Sequence, residues 1–172
     1  MKLDRYTTEG KKFIGEERAT GKLIEKHYGV RVVFAQNDAE KFDAFIHKGN
    51  ELVGVAEMKT RVFWNRDAGT FFTLDKLTEK GYLITAEKLD ILKKQSRIYN
   101  VYGYVFVYLP KDKKVISFKV SDKEGNFLFN FKRFRTKTKY SCNDYKGDTE
   151  RVNAFLPIKN NAHFTYFNVP NY

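Results

Sequence analysis

Residues 53 to 61 read VGVAEMKTR. Four small apolar residues, Val53 to Ala56, suit a strand covered on both faces, and the chain then adds a carboxylate and an ammonium, Glu57 and Lys59. Side chains alternate along a strand, so Glu57 and Lys59 share one face, about 6.6 to 6.8 Å apart along the chain. Val53 and Val55 fall on that face by the same alternation, and Gly54, Ala56 and Met58 on the other. An isolated charge buried at such a place costs several kcal/mol. The pair therefore calls for partners.

Upstream, Phe13, Ile14, Ala19, Leu23, Ile24 and Tyr28 recur at threes and fours, which predicts an amphipathic helix from Thr8 to Tyr28 with Gly29 as its stop. Residues 31–36 (RVVFAQ) read as a short strand, 37–41 as a turn, 42–48 (FDAFIHK) as a second strand and 49–51 (GNE) as a hairpin turn into a third strand over 52–63. If that hairpin forms, Asp43 lies beside Glu57, with Phe42, Ala44 and Ile46 turned to the core.

Downstream, 64–82 carries breakers at Gly69 and Gly81 and reads as a loop with short strand pieces. Residues 83–100 form a second helical pattern, with Leu89, Leu92, Ser96 and Tyr99 along one side. Strands follow at 101–110 and 115–120 across a KDKK turn. Beyond them 126–140 is aromatic and basic, 141–150 polar, and 152–158 and 163–169 are late strand candidates. Helix, strand meander, helix and strand predict an α/β fold, a mixed sheet flanked by helices. The expected organisation is one domain over 1–172, with a core of about 8–120 and a β-rich basic extension over 121–172.

Composition narrows the partners. Apolar residues make up 42% and aromatics 16%, enough for a core without disulfides. Cys142 is the single cysteine, and His27, His47 and His163 make no ligand-spaced cluster with it, so a zinc site is not expected. No apolar run reaches the ~20 residues of a membrane span and no signal-peptide pattern opens the chain, which predicts a soluble cytoplasmic protein that does not engage membrane. Lys plus Arg number 32 against 21 Asp plus Glu, a net charge of +11. That balance points to a polyanion, and each neutralised duplex phosphate adds about 0.9 to the log–log salt slope of binding.

Two carboxylates and a lysine converging on one spot repel unless a cation sits among them, and oxygen donors of this kind suit Mg²⁺ or Mn²⁺. The bland alternative is an exposed salt bridge on an edge strand. Asp43, a hairpin, then Glu57-x-Lys59 ending an apolar strand resembles the PD-(D/E)XK nuclease superfamily and its restriction-endonuclease-like fold. Gly15-Glu16-Glu17-Arg18-Ala19 and Ala56-Glu57-Met58-Lys59-Thr60-Arg61 are similar to the G-E-x-x-A helix and V-E-V-K-T-R strand of a small bacterial branch. The likeness covers about Thr8 to Val120. Acid-x-Lys occurs four times, as Glu9-Gly-Lys11, Glu57-Met-Lys59, Asp112-Lys-Lys114 and Asp144-Tyr-Lys146, but only the Glu57 copy ends an apolar strand after an acid-bearing one. The motif's proline is absent, since Phe42 precedes Asp43.

The resemblance implies a metal-dependent DNA endonuclease, of a kind found in phages and mobile elements. Asp43, Glu57 and the Met58 carbonyl would hold Mg²⁺, with Mn²⁺ able to substitute. Glu16, favoured over Glu17, would assist from the first helix, and Lys59 would position water. Lys88 or Gln95, seven apart on one helix face, would contact the scissile phosphate. A Holliday-junction resolvase, which would be a homodimer, a catalytically silent DNA-binding module on the same fold, and a ribonuclease remain alternatives. For DNA binding, Arg133, Arg135, Lys137 and Lys139 would line one strand face while Phe134 faces the core; a solvated, lysine-protected edge reads equally well. Arg61, Trp64, Arg66 and Lys76 follow the Glu57 strand and are further contact candidates. Trp64 could stack on an unpaired base, although a lone tryptophan more often lies in the core.

Overall fold

The computed structural model describes residues 8–36, 40–139 and 148–171. The long N-terminal pattern is helix α1 (Thr8–Tyr28), closed by Gly29 at φ +65 whose N–H reaches the Glu25 carbonyl at 2.9 Å. Then come β1 (Arg31–Phe34), β2 (Ala44–Lys48) and β3 (Glu51–Thr60), joined as an antiparallel meander. Of the turn expected over 37–41, residues 37–39 lie outside the described residues.

The region expected to be a loop holds more structure. β3 stops at Thr60, and β4 (Phe63–Asn65) and β5 (Thr70–Phe71) form a separate two-stranded hairpin. Helix α2 (Leu74–Lys80) follows, capped by the Thr73 hydroxyl on the Lys76 N–H and by Asp112, which accepts from the Leu74 N–H at 2.8 Å. Seven residues cannot hold a helix by propensity, so this one depends on Leu77, which is buried. Residues expected to open the second helix instead form β6 (Tyr82–Thr85), and α3 covers Ala86–Tyr99.

β7 (Tyr102–Leu109) and β8 (Lys114–Ser121) complete the sheet interior. The C-terminal third supplies β9 (Arg133–Lys139), β10 (Asp148–Leu156) and β11 (Phe164–Asn168). The main sheet runs β1-β2-β3-β7-β8-β11, in which β3 and β7 are the one parallel pair among the described residues; a second sheet runs β6-β10-β9. The mixed α/β class is therefore present. The late segment is woven into it, because β11 forms the edge of the main sheet beside β8.

Each face of the sheet carries its own apolar cluster. One gathers Leu89 and Leu92 of α3 against Val55, Val105, Val107, Ile116 and Phe118, and the other sets Ile24 of α1 on Ala44, Ile46, Ala56, Met58 and Phe106. β3 lies between them as the third of six strands. Strict alternation fails at one residue: the register shifts opposite Ile46 and His47, and Val53 packs on the α1 side instead of joining Val55. A bulge adds a residue to one strand, which moves the side chains before it to the other face. Val55, Glu57 and Lys59 keep the alternation and face α3. No helix among the described residues is long and apolar enough to cross a membrane.

Candidate active site

Asp43 directly precedes β2, and its N–H bonds the Ala56 carbonyl at 3.0 Å, which pins it beside β3 where Glu57 begins the polar half. Its carboxylate turns inward, and Oδ2 accepts the Met58 N–H at 2.7 Å. The N–H and C=O of a strand residue point to the same edge, so the Met58 carbonyl is also directed past the start of β2 towards Asp43.

Glu57 is 1% exposed, and Lys59 Nζ stands 2.8 Å from its Oε1 and 3.8 Å from Asp43 Oδ2. From α3, Lys88 Nζ reaches the same Oε1 at 3.2 Å. A buried carboxylate is thus faced by two ammonium groups on elements that only the fold unites. At these distances the two ammonium groups pair with Oε1 from β3 and from α3.

The helix acid at the site is Glu17, in place of Glu16. Glu17 is half-buried and its carboxyl is pushed up to about 7, first by burial and then by the charges of Asp43 and Glu57, against the opposing pull of Lys59 and Lys88. The Glu16 backbone carbonyl instead accepts from the Thr20 hydroxyl at 3.0 Å. Thr20, having donated that proton, receives one from the Thr60 hydroxyl across 3.1 Å. This contact docks α1 on the polar end of β3. Glu16 and Glu17 are both half-buried, and it is the Glu17 carboxyl that feels the charges of Asp43, Glu57, Lys59 and Lys88.

The same crowding raises the Asp43 carboxyl, through burial first and Glu57 second, despite Lys59 and the Met58 N–H. Burial alone would lower Lys59, but Glu57 and Asp43 outweigh it and hold the amine above its ordinary value. Lys59 is accordingly an ammonium throughout the neutral range. Tyr82 of β6, 1% exposed, has no hydrogen-bond partner for its hydroxyl among the described residues and lies close enough to act on Lys59.

The remaining sequence candidates divide. Gln95 sits two turns beyond Lys88, about 10 Å along α3, and makes no side-chain hydrogen bond among the described residues. Arg61 follows β3, with a guanidinium nitrogen 3.4 Å from the Thr60 carbonyl. Arg66 lies over the Phe63 ring at 5.2 Å, and Lys76 is exposed on α2. Arg133 is not a free phosphate contact: it forks onto Asp90 of α3 at 2.7 and 2.9 Å. Arg135 is exposed, 3.5 Å from Glu150. The side chains of Lys137 and Lys139 lie outside the described residues. Phe134 does not face the core. It stacks on half-exposed Phe155 at 5.1 Å, on the side of the small sheet away from buried Ala154 and Leu156. Trp64, too, is outside the core, 41% exposed.

Among the described residues, no group of three or more His, Cys, Asp or Glu side chains is placed to cage a metal. The donors present are fewer and harder: the carboxylates of Asp43 and Glu57 and the carbonyl of Met58. Mg²⁺ is characteristically held by one or two carboxylates while it keeps several waters, so this oxygen set fits it better than a protein cage would. Comparisons with protein-family models, curated proteins and solved structures gave no match.

Proposed function

We propose that this chain is a Mg²⁺-dependent DNA endonuclease with a restriction-endonuclease-like core. The observation that carries the reading is the buried Glu57 carboxylate, flanked by Lys59 on its own strand, Asp43 just before β2 and Lys88 on α3. An edge-strand salt bridge is the weaker explanation, because β3 is an interior strand and removing one partner of so buried a pair is costly.

Asp43, Glu57 and the Met58 carbonyl would hold the cation, with Mn²⁺ able to substitute and Glu17 adding negative charge from α1. When bound, the ion supplies Lewis acidity toward a phosphate oxygen and toward water. Lys59, kept as an ammonium while its carboxylates are charged, orients a water and offsets charge growing on the phosphate. Lys88 is 37% exposed at its side chain and approaches from the opposite element, so it serves the phosphate from the solvent side. Tyr82 and the apolar cluster beneath keep the inner wall dry, which strengthens these charge interactions.

The test incubates wild type and Glu57→Gln with supercoiled plasmid, single strands, four-way junctions and RNA, in Mg²⁺ or EDTA. Cleavage of DNA that needs both Mg²⁺ and Glu57 is expected. A wild type that cuts nothing, or a variant that cuts equally, would overturn the reading. Cutting confined to four-way junctions would assign a resolvase, and binding without cutting a silent module.

A further inference from the structure

The β4–β5 hairpin begins three residues after the last residue of β3 and belongs to neither larger sheet. Two strands alone are marginal in water, so this pair needs its side chains to hold it. Phe63 packs on Phe71 at 5.3 Å, and Trp64 meets Phe72 edge-on at 5.2 Å, with Phe72 resting against the α3-side core. The tip is internally tied: the Asn65 N–H donates to the Thr70 hydroxyl, and the Asn65 side chain accepts from the Ala68 N–H.

This anchored hairpin nevertheless shows large rings to solvent, with Phe63 38% and Trp64 41% exposed. Register explains the tryptophan. Phe63 pairs with Phe71 and Asn65 with Thr70, the neighbour of Phe71, so Trp64 is the extra residue of a bulge. Bulges re-aim a side chain and are over-represented beside active sites. Cations flank the rings, Arg66 over Phe63 and Lys111 over Phe71, each at 5.2 Å. Exposed rings accompanied by cations, in a chain of net charge +11, suit a polyanion with flat faces better than an apolar protein surface. Trp64 is five residue steps beyond Lys59, a span of about 18 Å at most. At 3.4 Å per step of one duplex strand, that is about five nucleotides.

We propose that this hairpin stacks unpaired DNA bases on Phe63 and Trp64 beside the acid–lysine site, with Arg66 and Lys111 taking the phosphates. DNA with single-stranded or distorted segments is then preferred over continuous duplex. The assignment rests on the nuclease reading for its place in catalysis, and on the hairpin alone for binding.

Trp64 is the only tryptophan, so its fluorescence reports on the stack directly. The full chain in EDTA is titrated with oligo(dT) and with a duplex of equal length. Strong quenching by oligo(dT), weaker by duplex and relieved by salt, is expected. Anisotropy of labelled oligo(dT) gives affinities for Trp64→Ala and, as a surface pair that spares the rings, Arg66→Ala/Lys111→Ala. Loss of stacking on one base lowers affinity about 5- to 150-fold, from roughly 1–3 kcal/mol per base. Equal quenching by both DNAs, no quenching at low salt, or unchanged affinity in both variants would refute the inference. The nuclease reading fails separately. Quenching by oligo(dT) without Mg²⁺-dependent cutting sinks that reading and upholds the stacking site; cutting that needs Glu57, with an unaltered substrate ratio in Trp64→Ala, does the reverse.

Discussion

Lys59→Met isolates the electrostatics of the site from its chemistry. The substitution keeps the aliphatic stem and removes the ammonium that stands 2.8 Å from Glu57 and 3.8 Å from Asp43. Breaking a buried pair costs about 3–5 kcal/mol, because the surviving charge is left uncompensated. Lys88 still faces Glu57 at 3.2 Å, and the Lys59 side chain is 25% exposed, so the low end, about 3 kcal/mol, applies. For a chain of this length each kcal/mol moves the midpoint by about 2–4 °C, which gives a loss of about 6–12 °C at pH 8 in EDTA. The sign with pH follows from the raised carboxyls. Asp43 and Glu17 take up protons as pH falls, which removes the charge that Lys59 had balanced, so the deficit narrows towards pH 5. Mg²⁺ supplies positive charge in place of the ammonium and adds about 2.7 kcal/mol at a hundredfold excess over its Kd. It should therefore raise the variant's midpoint more than the wild type's. Calorimetry at pH 5 and 8, with Mg²⁺ or EDTA, checks all three terms. A midpoint within 2 °C of wild type at pH 8 in EDTA, or a deficit constant with pH, would refute the reasoning.

Glu17→Gln tests which helix acid faces the site. With its carboxyl raised from 4.5 to about 7, Glu17 contributes stability below pH 4.5 that is lost as pH rises through 7. The full shift corresponds to about 3 kcal/mol, and partial exposure reduces this to about 1–2 kcal/mol. In EDTA the variant should gain on wild type between pH 5 and 8 in thermal melts; a difference that stays constant with pH would show that Glu17 does not face the site. Gly103→Ala probes the seat of α3, which carries Lys88. An added Cβ would come 2.7 Å from the Ser96 hydroxyl oxygen and closer still to that of Ser121, two groups joined by a buried 2.6 Å hydrogen bond. Overpacking and loss of that bond together cost about 3 kcal/mol by urea unfolding. In a Ser96→Ala/Ser121→Ala background, where space is open, the same change should be nearly neutral; an undiminished cost would show that the hydroxyls are not the obstacle.

What the sequence made legible was local or periodic. Helix α1 has its full length in a threefold and fourfold apolar pattern and a glycine stop, and the meander β1–β3 announces itself by short apolar runs between turn residues. Asp43, Glu57 and Lys59 were readable because a hairpin and a period of two place them together without knowledge of anything distant. Lys88 was readable as one of two candidates, since helical spacing put it and Gln95 on one face and did not rank them.

The rest depended on contacts far apart in the chain. α2 and β6 are too short for their own propensities to specify, and each is held by distant partners: Asp112 at the start of α2, and β10 along β6. That the Glu17 carboxyl feels the site's charges follows from the docking of α1, held in part where Thr20 meets Thr60 forty residues away. Reversing Phe134 and tying Arg133 to Asp90 needed the pairing of β9 with β10 and the approach of α3. By itself the sequence determined where an acid and a lysine end a buried strand, because alternation along a strand is a property of the backbone. Only the tertiary structure decided which charges complete the group, because Coulomb energy depends on distance through space, and the fold alone brings α1, β2, β3 and α3 within range.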